Sequence, residues 1–117
     1  MFKFRFQDLI IWQTSIELTD QLLDISEELE KIKYYRFAEQ LRGSVLSISN
    51  NIAEGSGSKS KIEFKQFLNY ARRSIFETAN ILIVIERRGI ISSAKNELLL
   101  EKLDILSRQI FKFNQSL

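Results

Sequence analysis

The sequence has no cysteine, no histidine and no proline, and only four of its 117 residues are glycine. Without cysteine there are no disulfides, and without cysteine or histidine the usual zinc sites and every imidazole-dependent mechanism are excluded. No run of about 18 apolar residues is present, so we expect no membrane-spanning helix. The absence of cysteine is compatible with a reducing cytosol, and we expect a cytoplasmic protein.

The scarcity of helix breakers favours long helices, because proline and glycine are the strongest interruptions of regular structure. Apolar residues, 44% of the total, form four stripes at helical spacing. The stripes are Leu18, Leu22, Ile25, Leu29 and Ile32; Tyr34, Ala38, Leu41, Val45, Ile48 and Ile52; Phe64, Leu68, Ala71, Ile75, Thr78, Leu82 and Ile85; and Leu99, Leu103, Leu106, Ile110, Phe113 and Leu117. We predict an all-α protein: residues 1–117 form one antiparallel up-down-up-down four-helix bundle.

Several residues predict where the helices begin and end. Ser60 and Glu63 fit a capping box at the start of the third helix. Gly55 and Gly57 are expected to end the second helix, and Gly89 to take the left-handed cap after the third. Ser92 or Ser93 then opens the fourth helix. Residues 31–35 contain no breaker, so the first interhelix link is the hardest boundary to predict.

The N-terminal residues are rich in aromatic side chains. Phe2, Phe4 and Phe6 alternate with polar residues, and this period of two predicts an extended arm over residues 1–7. A lone extended strip is unstable, so we expect it to pack over its own bundle or a neighbouring subunit. Stacking of its rings on exposed nucleic-acid bases is the alternative. Trp12 is expected to lie in the core.

Several motifs carry a resemblance to a known family. The strongest are the opening FQDLIIWQ of residues 6–13 and the NIAEG string of residues 51–55. Weaker matches continue at Gln40-Leu41-Arg42, Ser47-Ile48, Lys61, Glu63-Phe64, Phe67-Leu68, Ala71, Ser74 and Glu77. The sequence resembles the bacterial four helix bundle protein family. That family includes proteins encoded in intervening sequences of large-subunit ribosomal RNA genes, and the accessory variability proteins of diversity-generating retroelements.

The resemblance implies a left-handed bundle that, as in several relatives, closes into a homopentameric ring with a basic surface. The retroelement members resemble RNA-binding partners of a reverse transcriptase, and the ribosomal members have no established catalytic activity. This chain departs from the family pattern in four places. The proline that relatives often have in the first interhelix turn is absent. Ser49 stands where relatives usually have proline, and Arg73 where they often have glycine. Residues 56–58 lack the usual aromatic and arginine, which weakens an implied phosphate grip by that loop.

Charge is distributed unevenly along the chain although the net charge is only +2. Residues 1–30 carry −5, residues 31–73 carry +6 and residues 74–117 carry +1. The basic middle segment favours an anionic partner, because lysine and arginine bind nucleic acid by neutralising phosphates. The candidate phosphate ligands are Arg36, Arg42, Lys59, Lys61, Lys65, Arg72 and Arg73.

Spacing supports part of this set as one surface. Lys61 and Lys65 share a helix face, and Arg72 lies seven residues further along it. Lys59 precedes the predicted helix start, where free amide groups favour anions. The alternative interpretation is an ordinary solvated helix face.

A line of small polar residues accompanies the apolar stripe of the second helix. We predict that it forms a structural network that fixes helix register; the alternative is a subunit contact or partner pocket. The predicted members are Gln40, Ser44, Ser47, Asn51, Glu54 and Glu77. Glu54 and Glu77 form a carboxylate pair of the kind used in acid–base catalysis, but a bundle offers no obvious substrate cleft. We expect no enzymatic activity, no cofactor and no small-molecule substrate.

Apolar residues also exceed what one core needs, which indicates an interface between copies of the chain. The surplus residues are Ile10, Ile11, Phe67, Phe76, Ile81, Ile83, Val84, Ile90 and Ile91.

The leading hypothesis is a non-enzymatic, homo-oligomeric accessory that binds RNA or a nucleoprotein, such as a reverse-transcriptase complex, without base-specific readout. The alternative is a scaffold that docks an acidic protein without binding nucleic acid.

Overall fold

The computed structural model describes all 117 residues, and every regular element in it is helical. The elements are a 3₁₀ turn at Arg5–Asp8, α1 at Ile10–Lys31, α2 at Tyr35–Ser56, α3 at Lys61–Arg87 and α4 at Ser93–Ser116. Four helices and no strand are consistent with a four-helix bundle, so the all-α prediction is confirmed. None of the helices combines the length and hydrophobicity that a membrane crossing requires.

One apolar core of 20 buried residues lies between the helices. The predicted stripes supply nearly all of it, because side chains on one face of a helix recur with the helical period. Ile32 and Tyr34 are exceptions and lie exposed, since α1 ends before them and α2 begins after them. Ile11 and Ile81, expected to be surplus, are buried in the core.

Hydrogen bonds at the helix starts confirm Ser60 and Ser92 as N-caps, but the Glu63 side chain makes no bond back to the Ser60 amide, so the predicted capping box forms only in part. The Ser60 hydroxyl accepts a hydrogen bond from the Glu63 amide at 3.1 Å. The Ser92 hydroxyl, one of two candidates, accepts from the Lys95 amide at 3.2 Å. Gly89 adopts a φ of +75° after α3, the left-handed conformation that glycine tolerates best.

The link between α1 and α2 is made by a lysine in an unusual conformation. Lys33 has a φ of 68°, and its amide donates to the Glu30 carbonyl at 2.9 Å. The Tyr34 amide donates to the Leu29 carbonyl at 2.8 Å. This pair of bonds is a Schellman motif, in which a left-handed residue just beyond the last turn ends the helix. A lysine here performs the function usually given to glycine.

Gly55 has a different function from the one predicted. Gly57 is the C-cap residue of α2, as predicted, with a φ of −86°, whereas Gly55 lies inside the last turn of the helix and is not its cap. A Cβ atom on Gly55 would lie 2.7 Å from the Phe67 Cβ and 2.9 Å from the Phe64 Cδ1. Glycine is therefore needed for the close approach of α2 and α3, which share the largest interface in the fold.

The predicted extended arm ends earlier than residue 7. Residues 1–4 have no regular structure, but Arg5–Asp8 turn into a 3₁₀ helix because the Gln7 side-chain oxygen accepts from the Phe4 amide at 2.8 Å. The ring of Phe6 stacks on Phe4 at 5.6 Å and contacts half-buried Trp12 at 5.3 Å. The arm thus packs over its own helices through Trp12.

Candidate nucleic-acid interface

Three lysines gather at the start of α3, and we call them the lysine cluster (Lys59, Lys61 and Lys65). Ser60 caps this helix start, which places Lys59 just before it and Lys61 in its first turn. Lys59 and Lys61 are exposed and Lys65 is half-buried. No acidic side chain forms an ion pair with any of them. Their charges add to the positive end of the α3 dipole, so this surface attracts anions.

The adjacent residues Arg72 and Arg73 contact different surroundings. The Arg72 guanidinium lies over the Phe111 ring of α4, 5.0 Å from its centroid, and the Arg72 Nε is buried without a hydrogen-bond partner. Arg73 is exposed and lines a cleft between α2 and α3. The predicted line of Lys61, Lys65 and Arg72 therefore turns toward α4 at Arg72.

The two arginines of α2 lie apart from the lysine cluster. Arg42 forms an ion pair with Glu30 of α1 at 2.6 Å, which partly neutralises its charge. Arg36 lies in the first turn of α2. Ser56, at the opposite end of that helix and three residues before Lys59, is about 30 Å away along the helix axis. The seven predicted ligands therefore do not form one continuous patch.

Hydrogen bonds between small side chains join α2 to α3. Ser74 donates to the Ser47 hydroxyl at 2.8 Å, and Thr78 donates to the Ser44 hydroxyl at 2.9 Å. The side-chain amide of Asn51 also donates to the Ser47 hydroxyl, at 3.0 Å. The sequence interpretation missed Ser74 and Thr78 as members, although their four-residue spacing on α3 matches the polar line of α2.

The side chains of the other three predicted network members, Gln40, Glu54 and Glu77, make no hydrogen bond within the chain. Glu77 instead lines an open cleft of about 420 Å³ between α2 and α3. The cleft is bounded by Ser47, Asn51, Tyr70, Arg73, Ser74 and Glu77. Glu54 is exposed and outside it, so the two carboxylates considered as an acid–base pair do not share a cavity. No three acidic side chains lie close enough together to hold a metal ion.

These features define a small all-α protein of four helices with a cationic start to α3 and a polar cleft between α2 and α3. The sequence family described as 23S rRNA-intervening sequence protein matches residues 7–112. The chain belongs to this family, and the resemblance stated from its sequence motifs is confirmed.

A solved structure shares the fold. It is the crystal structure of a protein of unknown function from the S23 ribosomal protein family of Bacteroides thetaiotaomicron. The two chains are 21% identical with a TM-score of 0.85, and the match covers 90% of this chain and 98% of the other. No curated protein matches the sequence.

Proposed function

We propose that the protein is a non-enzymatic accessory that binds RNA phosphates through the lysine cluster. The observation that carries this proposal is the gathering of three cations, unpaired within the chain, at the start of one helix. Such groups neutralise phosphates and release counterions, which gives affinity without reading sequence. The family description, which refers to an intervening sequence of 23S rRNA, favours RNA as the anion. Its site of action would be the cytoplasm.

The proposal includes an antiparallel, left-handed bundle that assembles into a homopentameric ring. Hydrogen bonding supports the helix direction, because Ser44 pairs with Thr78 whereas Ser47 pairs with Ser74. Exposed apolar residues on two helices support an assembly, namely Phe76 and Ile83 on α3 and Leu98 and Ile105 on α4. Members of each pair are seven residues apart and lie on one helix face. A ring would repeat the lysine cluster and strengthen weak phosphate contacts through avidity.

Charge reversal tests the surface directly. Replacing all three lysines of the cluster by glutamate should weaken binding of a structured ribosomal RNA fragment by about 100-fold or more, since each lost phosphate contact reduces affinity. The matched control reverses three exposed cations of α4, namely Lys95, Lys102 and Arg108, and should retain most of the affinity. Fluorescence anisotropy gives the dissociation constants, and light scattering should give five times the 13.7 kDa mass of one chain for both variants.

Equal losses in the two variants would contradict a local interface and indicate only a net-charge effect. Binding of acidic proteins by the lysine cluster, with none of RNA, would replace the proposal by the protein-scaffold alternative. A monomeric mass would overturn the ring.

A further inference from the structure

The cleft between α2 and α3 presents three side chains of α3 along one helix face. Tyr70, Arg73 and Glu77 are spaced by three and four residues, so they line up over a little less than two turns. Beneath them lie Ser47 and Ser74, whose hydroxyl groups are hydrogen-bonded to each other. The cleft volume of about 420 Å³ falls within the range of about 300–1,000 Å³ that is usual for small-ligand sites.

Both charges in the cleft are free to meet a ligand. Arg73 and Glu77 are one turn apart and exposed, yet they form no ion pair with each other or with any other residue. On the α2 side, the Asn51 amide nitrogen donates to the Ser47 carbonyl at 2.7 Å and to its hydroxyl at 3.0 Å. These bonds turn the Asn51 amide toward Ser47, and its oxygen has no hydrogen-bond partner within the chain.

The aromatic wall of the cleft is held in place by its neighbours. The Tyr70 hydroxyl accepts a hydrogen bond from the side-chain amide of Gln66 at 2.9 Å. The Phe67 ring packs edge-on against the Tyr70 ring, with centroids 5.9 Å apart. Tyr70 remains 37% exposed, so part of its ring is available for stacking. Aromatic rings of this kind are the usual platforms for unpaired RNA bases.

The combination of a carboxylate, a guanidinium and an aromatic ring selects one base. A carboxylate offers two acceptor oxygens side by side and no donor. Guanine alone among the four RNA bases presents two adjacent donors, N1–H and N2–H₂, on its Watson–Crick edge. Adenine, cytosine and uracil each present an acceptor beside their donor, and that acceptor would face the Glu77 carboxylate.

We propose that this cleft binds one unpaired guanine nucleotide of RNA. The Glu77 carboxylate accepts from guanine N1 and N2, the Tyr70 ring stacks on the base, and Arg73 meets the phosphate. This inference rests on the proposed RNA-binding function and adds a base preference to it, because the lysine cluster reads only phosphates.

Single-base replacement in an oligonucleotide tests the inference. We compare oligouridine strands that carry one central guanine, inosine or adenine, using fluorescence anisotropy. The guanine strand should bind about 5- to 150-fold more tightly than the adenine strand, the range for a bidentate base contact. Inosine lacks the 2-amino group, so the affinity of the inosine strand should lie between those of the guanine and adenine strands. Guanosine monophosphate, but not adenosine monophosphate, should also shift the NMR signals of the Asn51 side-chain amide.

Glu77→Gln should remove the preference for guanine and leave the salt dependence of binding unchanged, since glutamine keeps the shape but loses one acceptor. Glu54→Gln, an exposed carboxylate outside the cleft, is the matched control and should keep the preference. Equal affinity for guanine and adenine strands, or a preference that survives Glu77→Gln, would overturn the guanine site while RNA binding by the lysine cluster stood. Absence of binding to every RNA would overturn the proposed function itself. In that case the NMR titration with guanosine monophosphate would still test whether the cleft binds guanine.

Discussion

A methyl group added at Gly55 should destabilise the fold, because α2 and α3 pack most closely at this glycine. The new Cβ of Gly55→Ala would lie 2.7 Å from the Phe67 Cβ, and carbon atoms normally approach to about 3.5–4.0 Å. The Phe67 Cβ is bonded to the backbone, so no rotamer change relieves the clash and the helices must separate. Overpacking of this severity costs about 3 kcal/mol, and the better helix propensity of alanine returns about 1. We expect a net loss of about 2 kcal/mol.

Gly43→Ala is the matched control on the same helix. Its Cβ would meet nothing within 4 Å, so only the propensity gain of about 1 kcal/mol remains. Urea denaturation followed by far-UV circular dichroism, at one fixed protein concentration, gives the free energy of unfolding of both variants. In thermal melts, Gly55→Ala should lower the Tm by roughly 8 °C. A Gly55→Ala protein as stable as wild type would refute the close-packing argument.

Three further substitutions test local features by the same denaturation assay. Lys33→Gly should stabilise the protein by about 1 kcal/mol, because glycine adopts the left-handed conformation without strain; an unchanged stability would contradict this. Ser60→Ala should cost about 1 kcal/mol by removing the cap on the Glu63 amide, whereas a neutral effect would show that the cap contributes nothing. Asn96→Asp should cost about 3 kcal/mol at neutral pH, because it buries a carboxylate beside Glu86. Burial raises the pKa of that new carboxyl, so the loss should shrink as the pH falls toward about 4; a loss independent of pH would contradict this explanation.

Helical spacing was sufficient to predict the whole apolar core except Ile11 and Ile81. Burial along a helix repeats with the helical period. The burial of residues such as Leu22 and Leu82 therefore follows from the apolar residues three and four positions away in the sequence. The spacing failed at Ile32, because α1 ends at Lys31 through a left-handed lysine that no propensity predicts. The preference of glycine for helix ends also misassigned Gly55, whose requirement is set by Phe67 on another helix.

The candidate sites depended more on relations between helices. Seven-residue spacing grouped Arg72 with Lys65 on one helix face, but the arginine side chain reaches across to α4, where its guanidinium packs on Phe111. Likewise, the register of α2 against α3 decides that Ser74 meets Ser47, and no single helix contains that information. The lysine cluster was predictable because its members are close in sequence. The cleft beside Glu77 was not, because both helices are needed to form it.

The RNA-binding proposal is tested most directly by the salt dependence of affinity. The dissociation constant of the wild-type protein for a structured ribosomal RNA fragment is measured across a series of salt concentrations. Three engaged lysines predict that the logarithm of the association constant falls linearly with the logarithm of the salt concentration, with a slope of about −2 to −3 for each protomer in contact, and that charge reversal of the lysine cluster flattens this slope. A flat dependence in the wild-type protein, or a slope unchanged by the reversal, would contradict phosphate binding at the start of α3.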